Sequence, residues 1–263
     1  MGDAACPLCE DGGLEEAFTY DAPPAGETHF ELSGQRYRRR YLRCPRCGHY
    51  ISDHELDLTA LYEGDYMDAT YAGEKLRATY DRIMSLPPER SDNVARVARV
   101  TARLAPGSVL DVGSGLGVFP ARMKEAGWRA TALDPDARAI AHAREHIRVD
   151  GLQADFMTAA DLGRHDLVTF NKVLEHVADP VAMLARAHAA LDDEGTVYIE
   201  LPDGEAAATD GPGREEFFIE HLHVFSMASM CLLATRAGFA VQLAERLREP
   251  SDKFTLYAFL RAA

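Results

Sequence analysis

The chain lacks any long apolar run. Its longest apolar-leaning stretch, around Met227 to Leu233, falls far short of the roughly 20 residues that cross a bilayer. The opening residues, Met1-Gly2-Asp3-Ala4-Ala5-Cys6, lack the charged start and apolar core of a secretory signal. Positive charge is also scarce: 28 Lys and Arg face 42 Asp and Glu, a formal net charge of −14. Phosphate backbones bind basic surfaces, so this balance speaks against broad nucleic-acid binding. There is no internal repeat and no long low-complexity tract. Cysteine is limited to five residues, four of them in two Cys-x-x-Cys pairs. That pattern points to metal binding in a reducing compartment rather than to disulfides, and a cytoplasmic location is expected.

Against these absences, 263 residues suffice for one substantial core and a small appendage. Three segments are expected: a metal-stapled ribbon over 1–52, a helical lead over 53–105, and an α/β core over 106–263. One local run of basic residues breaks the acidic balance: Arg36, Arg38, Arg39, Arg40, Arg43 and Arg46, with Tyr37 and Tyr41 between them. It reads either as a solvated strand or as a patch for an anionic group, such as a sugar-nucleotide diphosphate or a carrier-protein surface. The lead carries Tyr62, Tyr66, Tyr71 and Tyr80. After it, Val94, Val97, Ala98, Thr101 and Leu104 space a helix with one buried stripe, stopped by Pro106-Gly107.

From Ser108 onward strands and helices alternate. Strands are predicted at 109–112, 129–133, 167–170, 196–201, 239–241 and 253–260. Helices are predicted from Val118 to Gly127, over 137–146, from Asp179-Pro180 through Leu191, and from Ser226 to Gly238. The alternation implies a Rossmann-like, mostly parallel sheet with helices on both faces. Ligands then sit at the carboxyl ends of the strands.

At the first such end stands Asp111-Val112-Gly113-Ser114-Gly115-Leu116-Gly117. Glycines after a strand let the backbone turn sharply and approach a ligand, and the next helix offers free N–H groups. A dinucleotide fingerprint would place its third glycine, or an alanine, at position 118, which is Val118. With this Gly-x-Gly-x-Gly spacing behind an acid, the chain from Ser108 onward resembles the class I S-adenosylmethionine-dependent methyltransferases. The resemblance implies a seven-stranded sheet and a cofactor site. Asp111 would lie near the methionine part, with Gly113, Ser114, Gly115 and Gly117 facing the cofactor. Asp134 would grip the ribose hydroxyls, Asp155 and Phe156 would meet the adenine, and Asn171 would open the segment through Val177 beside the transferable methyl. Glu175 and His176 in that segment are candidate catalytic residues.

Cys6, Cys9, Cys44 and Cys47 have the pair spacing of a zinc ribbon, and four thiolates fill a tetrahedral shell, so a structural Zn2+ is expected. Cys231 reads as a core residue. On the acceptor side, Phe217 to Ser226 contains Glu220-His221 and His223. Together with the cysteine pairs, this element is similar to the deoxysugar C-methyltransferases, whose Tyr-His-Glu-His element is matched here in its second half alone. Phe218 and Ile219 replace the first two residues. The resemblance implies His221 as a base, with His223 beside it. The His221–His223 spacing also suits two metal ligands on one strand face, though the sequence shows no third. Tyr66 and Tyr71 read either as acceptor-pocket residues or as core. The expected function is methyl transfer to an O, N or C atom of a small molecule, such as a sugar or secondary-metabolite intermediate, nucleotide- or carrier-linked. The alternative is an RNA methyltransferase that uses the ribbon and the Arg-rich strand.

Overall fold

A computed structural model describes residues 5–10, 12–27, 35–56 and 74–263. Tyr62, Tyr66 and Tyr71 lie outside these residues. The N-terminal strands are β1 (Glu15–Tyr20), β2 (Arg39–Arg43) and β3 (Tyr50–Asp53). Helices α1 (Glu74–Met84) and α2 (Asp92–Thr101) follow, then β4 (Ser108–Val112), α3 (Val118–Glu125), β5 (Arg129–Asp134), α4 (Ala137–His142) and β6 (Asp150–Gln153). The second half runs through β7 (His165–Asn171), α5 (Pro180–Arg186), β8 (Leu191–Pro202), α6 (Gly204–Asp210), β9 (His223–Val224), α7 (Met227–Arg236), β10 (Phe239–Arg248) and β11 (Phe254–Ala262).

The large sheet has seven strands in the order β10-β11-β8-β7-β4-β5-β6. Pairings from β8 to β6 are parallel, and β11 lies antiparallel between β8 and β10. Val109 to Val112 is wholly buried, as a central strand covered on both faces must be. One helical layer buries Val100, Phe119 and Met123 against Tyr198 and Phe259. The other buries Leu184, Met230 and Leu233 against Val168 and Ile199. The chain leaves β4 towards β5 on one side and returns through β7 on the other. The topological switch, where ligand crevices form, therefore falls between β4 and β7.

Helix α2 is fastened to the sheet by charge as well as by its apolar stripe. Arg96 Nε reaches Glu200 Oε2 at 2.7 Å and Arg99 Nη2 reaches Glu200 Oε1 at 2.5 Å. Burial alone would raise the Glu200 carboxyl; the two guanidiniums outweigh it and hold the group down at about 2.

The second sheet has the order β1-β2-β3-β9, so its last strand comes from the far half of the chain. Tyr50 pairs with Val224 and Ile51 with His223. Tyr20, Tyr41, Tyr50, Phe217, Ile219 and Val224 form its core. The strand β9, the helix α6 and β6 go beyond the elements named from the sequence. Each is short, and β9 exists only because the ribbon supplies a partner edge.

Candidate active site

The glycine turn after β4 bends as the spacing requires. Gly113, Gly115 and Gly117 have φ of 66°, 49° and 71°, the left-handed region. At Gly113 a Cβ would stand 2.8 Å from Val173 Cγ2, while at Gly115 nothing comes within 4 Å. The turn therefore presses on the segment after β7 at one residue and opens a crevice at the next. Gly113 and Ser114 N–H groups donate to Leu133 O at 2.8 and 3.1 Å, tying the turn to the tip of β5.

Asp134 closes that crevice. It is buried, and its carboxylate accepts from Gly115 N and Asp136 N, each at 2.9 Å. Burial raises its carboxyl above the usual range, against the pull of those two N–H donors. Asp111 lies at the switch point with Oδ1 accepting from Thr169 Oγ1 at 2.7 Å and Asn171 Nδ2 at 2.8 Å. Its burial pushes the carboxyl up to about 6 despite both donors. Ser114 Oγ and Asn171 Oδ1 are buried with no hydrogen-bond partner among the described residues. Two orphaned polar atoms, an open glycine and two carboxylates fit a polar ligand such as the methionyl and ribosyl parts of S-adenosylmethionine.

Asp155 and Phe156 take different roles from each other. Asp155 is exposed and its Oδ1 accepts from Met157 N at 2.8 Å, capping the turn after β6. The Phe156 ring turns inward and packs edge-on against Phe170 at 5.5 Å, because the core behind β7 takes the large apolar side chain. The Phe156 backbone oxygen accepts from Arg186 Nε at 2.6 Å.

The four cysteines of the ribbon converge. Cys6 Sγ lies 3.6 Å from Cys47 Sγ, Cys9 Sγ lies 3.5 Å from Cys44 Sγ, and all four sulfurs are within 4.8 Å of one another. None is in a disulfide. Two similar turns aim them, with Glu10 N donating to Cys6 O and Gly48 N donating to Cys44 O. Sulfurs about 2.3 Å from a tetrahedral ion would sit roughly 3.8 Å apart, so the set fits a structural Zn2+.

The ribbon is joined to the core through the segment 217–236. Ser226 Oγ donates to Cys47 O, and Arg236 Nη1 donates to Leu8 O at 3.1 Å. Tyr41 Oη donates to His221 O at 2.6 Å and Phe218 O at 3.0 Å, and Ile219 N donates to Glu27 Oε2 at 2.7 Å. The Arg-rich strand is largely spent on internal pairs. Arg39 is buried 2.8 Å from Glu27 and stacked 3.9 Å over the Tyr20 ring, and Arg40 pairs with Asp53 at 2.6 Å. Those pairs draw on the charge that a nucleic-acid patch would need.

Beside the crevice, a cavity of about 150 Å³ is lined by Lys172, Glu175 and His176 from the segment after β7, by Glu216, Glu220 and His221, and by Lys253 and Phe254. His176 and His221 stand edge to face with ring centroids 4.9 Å apart. Burial, and then the neighbouring His176, hold His221 well below the usual imidazole range, so it is neutral near pH 7.

His223 does not join this cavity. Its Nδ1 lies 3.0 Å from His49 Nε2, in a buried pair that ties the ribbon to β9. The pairing of His221 and His223 on one strand face fails because residues 218–222 form a turn, with His221 N donating to Phe218 O, and the strand begins only at His223. Sequence reasoning missed Lys172, Glu216 and Lys253 as cavity residues, since nothing in their spacing brings three separate segments together.

Comparison with known proteins agrees with this geometry. Residues 80–244, more than half of the chain, match the model of a family described as a methyltransferase domain. The ubiquinone biosynthesis O-methyltransferase of Xanthomonas axonopodis pv. citri (strain 306) is 32% identical over 130 residues, 46% of this chain and 54% of that protein. The corresponding protein of Xanthomonas campestris pv. campestris (strain B100) is 33% identical over 162 residues, 59% of this chain and 63% of that protein. The chain thus spans between half and two thirds of the length of these relatives. In fold it is similar to the Burkholderia thailandensis 1,6-didemethyltoxoflavin-N1-methyltransferase solved with 1,6-didemethyltoxoflavin and S-adenosylhomocysteine. The TM-score is 0.58 at 22% identity, covering 92% of this chain and all of that one. The glycopeptide N-methyltransferase MtfA complexed with S-adenosyl-L-methionine gives a TM-score of 0.53 at 16% identity, over 64% of this chain and 93% of that one. The chain belongs to the methyltransferase-domain family.

Proposed function

We propose that this chain is a class I S-adenosylmethionine-dependent methyltransferase that transfers the methyl group to an oxygen or nitrogen of a small acceptor, a sugar or secondary-metabolite intermediate, seated in the cavity around Glu175, His176 and His221. The observation that carries the reading is the gathering of those three side chains at the carboxyl edge of the sheet, Glu175 and His176 on the loop that starts at Asn171 beside Asp111 and His221 from the segment before β9. The bound cofactor supplies an electrophilic methyl on a sulfonium. Asp111 and Asn171 would receive its amino-acid end, Asp134 its ribose hydroxyls, and Asp155 with the backbone of Phe156 its adenine. A structural Zn2+ on Cys6, Cys9, Cys44 and Cys47 would hold the ribbon.

The attacking oxygen or nitrogen must lose a proton as it is methylated. A carboxylate and two imidazoles around it lower the cost of that loss. The alignment of acceptor and methyl supplies the rest. The similarity to O-methylating and N-methylating proteins supports this choice over carbon, as does the replacement of the first half of the Tyr-His-Glu-His element by Phe218 and Ile219.

The test is a panel of hydroxylated aromatics, amines and sugar nucleotides assayed for methylated product by mass spectrometry. His221→Asn is expected to lower kcat/KM at least about 100-fold, the usual range for a positioned proton-transfer group, with S-adenosylhomocysteine affinity kept within about twofold. A product methylated at carbon, or a His221→Asn enzyme of full activity, would sink the reading.

A further inference from the structure

The three side chains that frame the cavity have an arrangement that binding an organic acceptor alone does not require. Glu175 is fully buried, 0% exposed, and neither of its carboxylate oxygens has a hydrogen-bond partner among the described residues. An ionised carboxylate left so is costly unless something cationic meets it. The nearby lysines are directed elsewhere: Lys172 Nζ donates to Thr255 Oγ1 at 2.8 Å, and Lys253 pairs with Glu215 at 3.2 Å. Glu216 is taken up by Arg214 and by Phe254 N.

The two imidazoles are set by backbone. His176 Nδ1 meets Glu220 O and His221 Nδ1 meets Glu216 O, both at 2.8 Å. A carbonyl only accepts, so each Nδ1 carries the hydrogen and each Nε2 the lone pair. A ring nitrogen anchored in this way to a carbonyl, leaving the other to bind, is the arrangement that ligating histidines use. A carboxylate oxygen and one nitrogen from each ring lie within 4.8 Å of one another. The sequence offered His221 a partner at His223; the fold supplies Glu175 and His176 instead.

We infer that Glu175, His176 and His221 bind a divalent first-row transition cation, with open positions towards the cavity that take a hydroxyl oxygen of the acceptor. The donor set of two imidazoles and one carboxylate suits Zn2+, Fe2+ or Mn2+ better than Mg2+, which prefers oxygen ligands. The inference rests on the acceptor reading above and narrows it to a hydroxyl. Coordination lowers the pKa of the bound hydroxyl, and its proton leaves to solvent water. The oxygen lone pair then forms the O–CH3 bond while the C–S electron pair passes to sulfur, which becomes a neutral thioether.

Zinc counting by native mass spectrometry and elemental analysis tests the site on the full chain with Zn2+ as probe. The wild type is expected to hold two ions, one on the cysteines and one here, and Glu175→Gln and His221→Asn one each, with S-adenosylhomocysteine binding as the check of fold. A wild type with one ion, or a second ion that both variants retain, would overturn the site. Should the variants fail to fold, Mn2+ titration of wild type carrying a single equivalent of Zn2+, on the cysteines, followed by electron paramagnetic resonance, decides. Stoichiometric Mn2+ displaced by further Zn2+ supports the site, and no bound Mn2+ overturns it. Metal counting uses neither acceptor nor methyl donor, so its failure leaves the acceptor reading standing, and a silent acceptor panel leaves the metal count standing.

Discussion

The cofactor crevice and the acceptor cavity lie on the same edge of one sheet, yet they are built in opposite ways. The crevice comes from consecutive strand tips: Asp111 at the end of β4, the glycines that follow it, Asp134 at the end of β5 and Asn171 at the end of β7. Its hydrogen bonds are short and mostly to backbone or to adjacent strands. The cavity is assembled from segments around residues 172–176, 215–221 and 253–254, and its histidine-bearing turn is held by the ribbon through Tyr41 and Glu27. A crevice made by secondary structure is rigid by construction; a cavity made by tertiary contacts can change its lining without disturbing the sheet. One fold can therefore keep one methyl donor while the acceptor varies.

Three measurements would break or sharpen this contrast. The largest effect is expected at the crevice. Asp134→Ala removes the carboxylate proposed to accept from both ribose hydroxyls, and the anchor for Gly115 N. Two charge-assisted hydrogen bonds of roughly 1.5 kcal/mol each correspond to about a 100-fold weaker affinity for S-adenosylhomocysteine by calorimetry. A change under about threefold would mean that the crevice is not the donor site.

The second effect is on pH. The Asp111 carboxyl, raised by burial to about 6, binds its proton more tightly in the folded chain than in the unfolded one. Its ionisation therefore costs stability as pH rises from the ordinary carboxylate range to about 6, the reverse of a salt-bridged acid. Its charge, and with it the proposed hold on the cofactor's ammonium group, is present above about 6. S-adenosylhomocysteine affinity should fall by up to about tenfold per pH unit below that point. A flat profile between pH 5 and pH 7 would remove Asp111 from the amino-acid end.

The smallest effect separates the two regions most cleanly. Tyr41→Phe deletes the donor to His221 O and Phe218 O, worth about 1 kcal/mol, or roughly a fivefold loss in kcat/KM for the acceptor. Cofactor affinity should not move. Equal losses on both sides would show the ribbon bracing the whole core rather than the acceptor turn.

The two regions were also unequally legible. Glycines at 113, 115 and 117, with acids at 111 and 134, could be placed from the sequence because strand ends and tight turns are local matters. Six strands of the large sheet followed from the same alternation, and the short edge strand β6 did not. The cysteine pairs announced their convergence through spacing alone. The cavity escaped such reasoning. His221 and His223 are two residues apart, and only the turn at 218–222 decides that one faces the cavity while the other pairs with His49. Phe156 was legible as a position but not as a direction, since packing against Phe170 turned its ring into the core. The Arg-rich strand looked like a surface feature until Glu27 and Tyr20 enclosed Arg39.

By itself the sequence determined where the backbone bends and which residue types stand at each bend, because propensity, glycine freedom and hydrophobic period act over a few neighbouring residues. Tertiary structure decided which of those residues meet. The strand β9 joining the ribbon, Glu200 held between Arg96 and Arg99, and Glu175 facing two imidazoles all depend on contacts across dozens of residues, which only the closing of the core brings within bonding distance.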